Sequence, residues 1–568
     1  MNSTIRSRNS RSFDAIVVGT GISGGWAAKE LSEKGLRTLV LERGPMVRHI
    51  EDYPTMLLHP WELPFGDRLS YEERTEIYPV QSVTSHAVKA STKHFFVKDS
   101  EHPYTQKKPF LWTRGYQVGG RSLTWGRWSY RRGDSDFATR ERDGIGIDWP
   151  IRYRDIEPWY DYVERFIGVS GNRDGLPQIP DGIFLPPWEM NCVELHVKKQ
   201  LEKHYSDRRL TIGRTANLTR SHGGRGSCMA RNLCPRGCPY GAYFSSNSST
   251  LPAAEATGNM TLRADSVVQA VLYDRETRRA SGVRVVDTKT KEVTEYYAGV
   301  IFLCASALGS TSILLNSLEE TFPDGVGNSS GELGHNLMDN HFEIGASGVF
   351  DGFQDRYIRG RRPVDVLVPR FQNLDEKTRR STYARGFSTY GWAGREGTGQ
   401  GGPFDFGAGY KESLRTPGSW SMTFLGFGEC LPRHENRVWL DKSDRDPWGL
   451  PRLVVEMEWG ENEREMRKEM RQSSAEMLEV SGFRNIREYE GSSPPGLSIH
   501  EMGTARMGAD PKTSVLNRWN QMHDIPNIFV TDGACMTSNG WGNPSLTYMA
   551  LTARACDYAV KQMKNGSL

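Results

Sequence analysis

Cys228, Cys234 and Cys238 crowd into the stretch "GSCMARNLCPRGCPYGAYF" (226–244) of a 568-residue chain that has eight cysteines in all. Disulfides, a zinc site, an iron–sulfur cluster and plain packing are all open to them. Disulfides would pair two thiols and strand the third. A structural zinc takes four ligands, and His222 is the nearby residue that could complete such a set. Three thiolates in a loop shaped by proline and glycine suit a cluster with three held iron corners, [3Fe-4S], or a [4Fe-4S] cluster with one non-cysteine ligand. Cys192, Cys304, Cys430, Cys535 and Cys556 are scattered, and Cys304 in "VIFLCASALG" reads as a buried, inert thiol.

The second chemical pattern is G-x-G-x-x-G at Gly19, Gly21 and Gly24, with an acid, Glu42, at the end of the following strand. Glycines there let the backbone approach a pyrophosphate, a helix N-terminus supplies N–H donors, and the acid accepts from a ribose hydroxyl. The elements that must hold this pattern are legible around it. Residues 14–18 predict a buried strand, 22–34 a helix stopped at Gly35, and "RTLVLE" a second buried strand. The N-terminal position of the motif in so long a chain favours FAD over NAD.

Farther along, residues 260–303 predict a meander of strands and "SALGSTSILLNS" a helix start. Residues 345–460 alternate apolar and polar around many aromatics and predict a second, mainly antiparallel sheet. "ENEREMRKEMRQSSAEMLEVSG" reads as an amphipathic helix ending at Gly482. "TRGYQVGGRSLTWGRWSYRRGDSDF" reads as an ordered, Gly- and Trp-rich binding loop, and no internal repeat is visible.

Three segments carry a family resemblance: "GYQVGGRSLTWGRWSYRRG" (115–133), "CASALGSTSILLNS" (304–317) and the closing stretch from "HEMGTARMG" at His500 to "ACDYAV". Together they resemble the glucose–methanol–choline (GMC) flavin oxidoreductases at the start, middle and end of the chain. The resemblance implies an α/β fold: a GMC-type, Rossmann-like FAD-binding domain with an interleaved substrate domain built on a mainly antiparallel sheet. The FAD-binding domain would comprise 13–50, 108–135, 215–345 and 496–568, including the cysteine loop 226–244, and the substrate domain 136–214 and 346–495. Gly19, Gly21, Gly24 and Glu42 would hold the ADP part. Gly119, Gly120, Ser122 and Leu123 would lie along the pyrophosphate and flavin, and Val268 would meet adenine. Asp532 and Gly533 would approach the ribityl chain, with Pro544 and Ser545 near the flavin ring.

The family's catalytic pair falls on His500 and Asn543. Oxidising an alcohol needs its proton removed as hydride leaves for the flavin, which suits a neutral imidazole. Asn543 can hold the same oxygen but cannot take its proton, so the expected roles are base for His500 and positioner for Asn543.

A subgroup of the family, the flavin sugar dehydrogenases, carries a similar cysteine group and a [3Fe-4S] cluster. "CMARNLCPRGCPYGA" resembles that segment, which implies Cys228, Cys234 and Cys238 as cluster ligands passing electrons singly from FAD to an outside acceptor. "GHNLMDNHF" and the aromatic-rich 384–428 stretch are most similar to glucoside 3-dehydrogenases, which oxidise C3 of glucose units to 3-keto sugars. Glucose 1-, gluconate 2- or fructose-type oxidation is the alternative. A GMC oxidase with a structural zinc and a non-catalytic flavoprotein scaffold are the other classes considered.

Composition limits the partners. A net charge of +3 with 25% charged residues gives no basic surface for nucleic acid. No apolar run is long enough to span a membrane, and "MNSTIRSRNSRSFD" carries no recognisable export signal. The resemblance implies a sugar substrate, a small twin-Arg-exported partner subunit, and a cytochrome c or other electron acceptor. Folding in the cytoplasm, with co-export to the bacterial periplasm if the enzyme works outside, is the localisation that goes with it.

Overall fold

The computed structural model describes residues 11–84, 87–357, 362–395, 406–413, 415, 417–491 and 494–568. The basic segment 1–10 and part of the 384–428 stretch lie outside the described residues.

Strand β1 (Ser12–Val18) ends in the fully apolar run Ala15–Val18, buried on both faces as a central parallel strand must be. It pairs in parallel with β2 (Thr38–Leu41), which pairs in parallel with β5 (Met260–Arg263). On its other side lies β8 (Val293–Leu303), also parallel. The far edge of β8 is shared. Its first half pairs antiparallel with β7 (Arg279–Asp287), next to β6 (Ser266–Asp274), and its last three residues pair in parallel with β16 (Ile528–Val530). The sheet order is β5-β2-β1-β8-β7-β6, with β16 beside β8. β5 is thus no part of the expected meander: Thr38–Leu41 offers it an open parallel edge, and the meander is β6-β7-β8 alone.

Helix α1 (Ile22–Glu33) covers one face, between α4 (Thr250–Glu255) and α7 (Ser545–Lys564), and α7 packs in turn on α2 (Tyr153–Ile167). A buried ammonium joins α1 to α2: Lys29 donates to Glu33 (2.8 Å) and to the Tyr162 hydroxyl (2.8 Å). Helix α5 (Ala307–Asn316) follows β8 directly.

A second sheet has the order β15-β9-β12-β11-β10-β4, and every pairing in it is antiparallel. Its strands are β4 (Thr211–Ile212), β9 (His341–Phe350), β10 (Val366–Val368), β11 (Phe387–Arg395), β12 (Trp420–Gly428) and β15 (Arg484–Glu490). Helix α6 (Glu461–Glu479) turns Met466, Met470, Met477 and Leu478 onto this sheet and most of its charges outward, Glu463 and Arg467 being buried. Helix α3 (Cys192–His204) adds Val193, Val197 and Leu201 to the same core. A small third sheet joins β3 (Thr105–Gln106) to the hairpin of β13 (Arg437–Arg445) and β14 (Pro451–Glu456).

The β1–α1 turn rests on two close approaches. Gly19 has φ +98°, and a Cβ on it would stand 2.4 Å from the Cys304 carbonyl oxygen. A Cβ on Gly24 would stand 2.0 Å from the Gly19 oxygen, whereas one on Gly21 would meet no protein atom within 4 Å. Gly24 is therefore demanded by packing and Gly21 is not. Gly24→Ala is expected to lower stability by about 3 kcal/mol or more, because backbone must move to admit the methyl. Gly21→Ala should lower it by no more than about 1 kcal/mol, the cost of an N-cap change. Urea unfolding of the two variants, both free of bound ligand, checks the difference.

Candidate active site

The carboxyl ends of β1, β2 and β8 open into one cavity of about 790 Å³, lined among others by Val18, Leu41 and Cys304. Crevices at strand carboxyl ends are where open α/β sheets bind ligands. Three helices start there. Ser23 of α1, Ala307 and Gly309 of α5 and Ser545 of α7 all line the cavity. None of the three helices has a side chain capping its N-terminus, and none has an acid in its first turn. Each thus leaves unpaired backbone N–H donors and the positive end of its dipole facing the same space. That is the electrostatic signature of a site for a phosphate-bearing anion.

The residues expected to hold a dinucleotide divide into wall and support. Gly19, Gly21, Glu42, Gly120, Ser122, Val268, Asp532, Gly533, Pro544 and Ser545 line the cavity. Gly24 lies beneath the turn, as its contact with Gly19 requires. Gly119 donates its N–H to the Thr20 hydroxyl (2.9 Å), tying the second glycine loop to the first. Leu123 is buried among Tyr53, Phe95 and Phe96. Glu42 accepts from the Thr20 hydroxyl (2.5 Å) and from the N–H groups of Thr20 and Gly44 (both 3.1 Å), and burial raises its pKa. Asp532 accepts from the Ser310 hydroxyl (2.5 Å) and the Ala534 N–H (3.0 Å), and burial pushes its pKa up to about 6. Gly21, open where a side chain would stand, the three bare helix ends and the acid at Glu42 together fit FAD.

Beyond Glu42 the cavity is walled by residues the sequence did not mark. Arg43 pairs with Asp446 (3.0 Å) and lies over the rings of Tyr116 and Trp448, and His102 stacks on Trp448. These side chains come from four distant segments, so no spacing could reveal them.

In the cysteine loop, Cys228 and Cys234 line the cavity and Cys238 does not, although both other thiols lie near enough to add to the burial that raises the Cys228 pKa. Among the described residues no three His, Cys, Asp or Glu side chains form a group that could hold a metal, so the expected [3Fe-4S] ligand set Cys228, Cys234 and Cys238 is not supported by the side chains as placed. The loop's backbone explains the arrangement. Cys228 N–H is held by the Leu218 carbonyl (2.8 Å), Gly226 N–H by Tyr240 (2.8 Å), and Arg231 and Arg236 anchor to the carbonyls of Met56 and Leu58. For zinc, His222 engages only one ring nitrogen, Nε2, with the Arg165 carbonyl (2.6 Å), but among the described residues it forms no metal-holding group with the cysteines. All eight cysteines are free, and burial pushes the Cys304 thiol well up, consistent with an inert group.

At the other end of the cavity the structure brings His500 and Asn543 together, with Asn543 Nδ2 3.3 Å from His500 Nε2. Asn340 and Asp339, just before β9, complete the arrangement. Asp339 accepts the His500 N–H (3.0 Å) and the Gly496 N–H (2.7 Å), and the Ser498 hydroxyl also donates to it. Asn340 donates its Nδ2 to two backbone carbonyls, Gly428 (2.9 Å) and Gly540 (2.8 Å). Since carbonyls only accept, the remaining Oδ1 faces His500 Nδ1 at 2.9 Å and must accept from it. The proton therefore sits on Nδ1, and the Nε2 lone pair faces the cavity. Sequence reasoning passed over Asn340 and Asp339, although both lie in "GHNLMDNHF".

Burial, and then the charges of Arg121 and Arg132, lower the His500 pKa to about 3. Arg121 is held beside it by a two-pronged pair with Glu501 (3.2 and 2.8 Å). A neutral imidazole with a free Nε2 beside an amide donor can take a proton from a hydroxyl while its oxygen is held. Because the pKa is depressed, the ring is neutral at every pH well above 3. In a histidine NMR titration, the His500 resonances should stay in the neutral position from about pH 8 to about pH 5, where exposed histidines protonate.

Comparison with known proteins agrees with this geometry. The chain is 29% identical to 2-methyl-1,2-propanediol dehydrogenase from Mycolicibacterium austroafricanum, over 97% of this chain and 96% of that protein. It is 25% identical to the fructose dehydrogenase large subunit of Gluconobacter japonicus, over 99% and 100% of the two chains. The fold matches the crystal structure of pyridoxine 4-oxidase from Mesorbium loti with a TM-score of 0.58 at 17% identity, covering 96% of this chain and 98% of that one. The family models for GMC oxidoreductases match residues 13–342 and 432–552. With its glycine turn, most of its cavity wall, His500 and Asn543 inside those matches, the chain belongs to the GMC oxidoreductase family and is an oxidoreductase.

Proposed function

We propose that this protein is an FAD-dependent dehydrogenase that oxidises a hydroxyl-bearing carbon of a sugar or related polyol and passes the electrons to an acceptor other than oxygen. The observation that carries the reading is the neutral His500, its Nε2 lone pair turned to the cavity 3.3 Å from the Asn543 amide nitrogen. Bound FAD supplies the hydride acceptor. The protein's own residues do the rest. Asn543 Nδ2 holds the substrate oxygen, His500 Nε2 takes the hydroxyl proton, and the charge this creates is met by the Asn340 oxygen at Nδ1. Gly19, Gly21, Gly120, Ser122 and the ends of α1, α5 and α7 would hold the cofactor.

The substrate class draws on the lining and on the relatives. Phe427 supplies an apolar face beside His500, Trp128 and Phe342 supply two more on the cavity wall, and Arg362 and Asp365 supply polar groups in the same cavity. Apolar walls with a few placed polar groups suit a ring bearing hydroxyls. The relatives named above are described as acting on fructose and on a diol. Within this class we take C3 of glucose units as the specific position, on the likeness of "GHNLMDNHF" to glucoside 3-dehydrogenases. A relative named a large subunit supports a partner subunit for this chain, and co-export of the folded pair is part of the proposal.

The test is a panel of sugars and polyols with an artificial electron acceptor, with oxygen in parallel, and identification of the oxidised carbon. Turnover of glucosides to 3-keto products with the dye and not with oxygen is the expected result. Oxidation at C1 or C2 would move the position, and no flavin reduction by any member would overturn the reading. His500→Ala should slow flavin reduction by roughly 10²–10⁴-fold, the usual worth of a general base, while leaving the flavin content unchanged. Stopped-flow flavin bleaching measures the first and absorption of the purified variant the second.

A further inference from the structure

We propose that Tyr390, on β11 of the antiparallel sheet, is a positioning residue for this reaction: its hydroxyl sets which way round the Asn543 amide sits and so makes Asn543 a donor to the substrate oxygen. The inference rests on the reading of the site given above.

The Tyr390 hydroxyl stands 2.6 Å from Asn543 Oδ1 and donates to it. The direction of this bond follows from a series of links that starts at two backbone carbonyls. Gly428 and Gly540 accept from Asn340 Nδ2, so Asn340 Oδ1 accepts the Nδ1–H of His500. That leaves a lone pair on His500 Nε2, which Asn543 Nδ2 faces at 3.3 Å. Asn543 Oδ1 is then turned away from the imidazole, and the phenol of Tyr390 meets it. Turned over, the amide would set its oxygen against the Nε2 lone pair and lose the bond from the phenol as donor. Six polar groups are therefore ordered in one sense, and Tyr390 is the last of them.

The phenol acts only through Asn543. Tyr390 is 1% exposed, absent from the cavity wall, and wedged against Trp128 (4.8 Å between ring centres), Phe427 (5.5 Å) and Tyr130 (6.1 Å). Burial raises its pKa well above the ordinary value, so it remains a proton donor throughout the working range. A consequence for substrate choice follows. An oxygen between Nε2 and Nδ2 meets one acceptor and one donor, which a neutral hydroxyl satisfies with its proton and a lone pair. A carboxylate has no proton for Nε2, and an ammonium has no lone pair for Nδ2.

The experiment uses the flavin-loaded enzyme and Tyr390→Phe, which removes one oxygen from a packed ring. With [15N]histidine labelling, and His500 assigned by its loss in His500→Gln, the Nε2 resonance of the unsubstituted enzyme should show the shift of a hydrogen-bonded acceptor. In Tyr390→Phe it should move towards that of a bare lone pair. Flavin reduction by the best substrate of the panel should slow about tenfold, the worth of one hydrogen bond held in place, with a smaller change in half-saturating concentration. In an Asn543→Ala background, Tyr390→Phe should change the rate by less than about twofold, since the group it acts through is gone. A bare-lone-pair shift in the unsubstituted enzyme, an unmoved resonance in Tyr390→Phe, an unchanged reduction rate, or rate losses that multiply in the double variant would each overturn the proposal. If no compound of the panel reduces the flavin, the proposed function fails, while the resonance still decides the orientation of Asn543.

Discussion

Three helices end at one cavity with their first backbone N–H groups unmatched by any capping side chain, and much of the molecule is arranged around that deficit. A helix N-terminus left bare inside a protein is costly unless something negative meets it. Here the ends of α1, α5 and α7 are brought together by the parallel strands β1, β8 and β16, whose carboxyl ends point the same way. The glycine turn at Gly19 and Gly24 lets α1 begin directly over the strand. A bound dinucleotide would set its pyrophosphate and flavin among these ends, which would couple cofactor binding to the stability of this half of the protein.

The reacting end of the cavity depends on both sheets. His500 and Asn543 come from the closing segment of the chain, but their orientation is decided elsewhere. Asn340 lies at the entry to β9, Gly428 ends β12, and Tyr390 stands on β11. The antiparallel sheet is thus more than a wall for substrate. One of its backbone carbonyls, Gly428, and the Tyr390 hydroxyl on β11 help to set the proton positions of a catalytic pair whose own residues, like Asn340 and Gly540, lie outside strands and helices.

The cysteine loop stands apart from that order. Two of its thiols reach the cavity and the third does not, and its arginines tie it to residues 56–58. Its shape is dictated by backbone bonds to Leu218 and Tyr240. What the loop contributes to the described structure is a stretch of cavity wall beside the aromatic residues 125–128.

The sequence by itself determined the local elements and the family. Gly19, Gly21, Gly24 and Glu42 could be read as a strand–turn–helix with an acid because each step is a short-range rule, and the predicted helices at 22–34, at 307 and through 461–479 follow from apolar spacing. Strands β9 to β12 of the antiparallel sheet were legible from alternation between 345 and 460, but β13 and β14 of that stretch went to the third sheet and β4 and β15 came from outside it. His500 and Asn543 were named through motifs, not through physics. What tertiary structure alone decided is how distant residues meet. Asn340, 160 residues before His500, sets its tautomer; Tyr390, 153 residues before Asn543, faces its oxygen; Arg43 finds Asp446. Spacing along the chain also suggested a three-thiolate set that the described side chains do not support as a metal-holding group, since ligand geometry depends on where backbone hydrogen bonds turn each side chain. Periodicity reports which face of an element is buried, but hydrogen-bond direction and convergence of side chains exist only once the sheets are packed against each other.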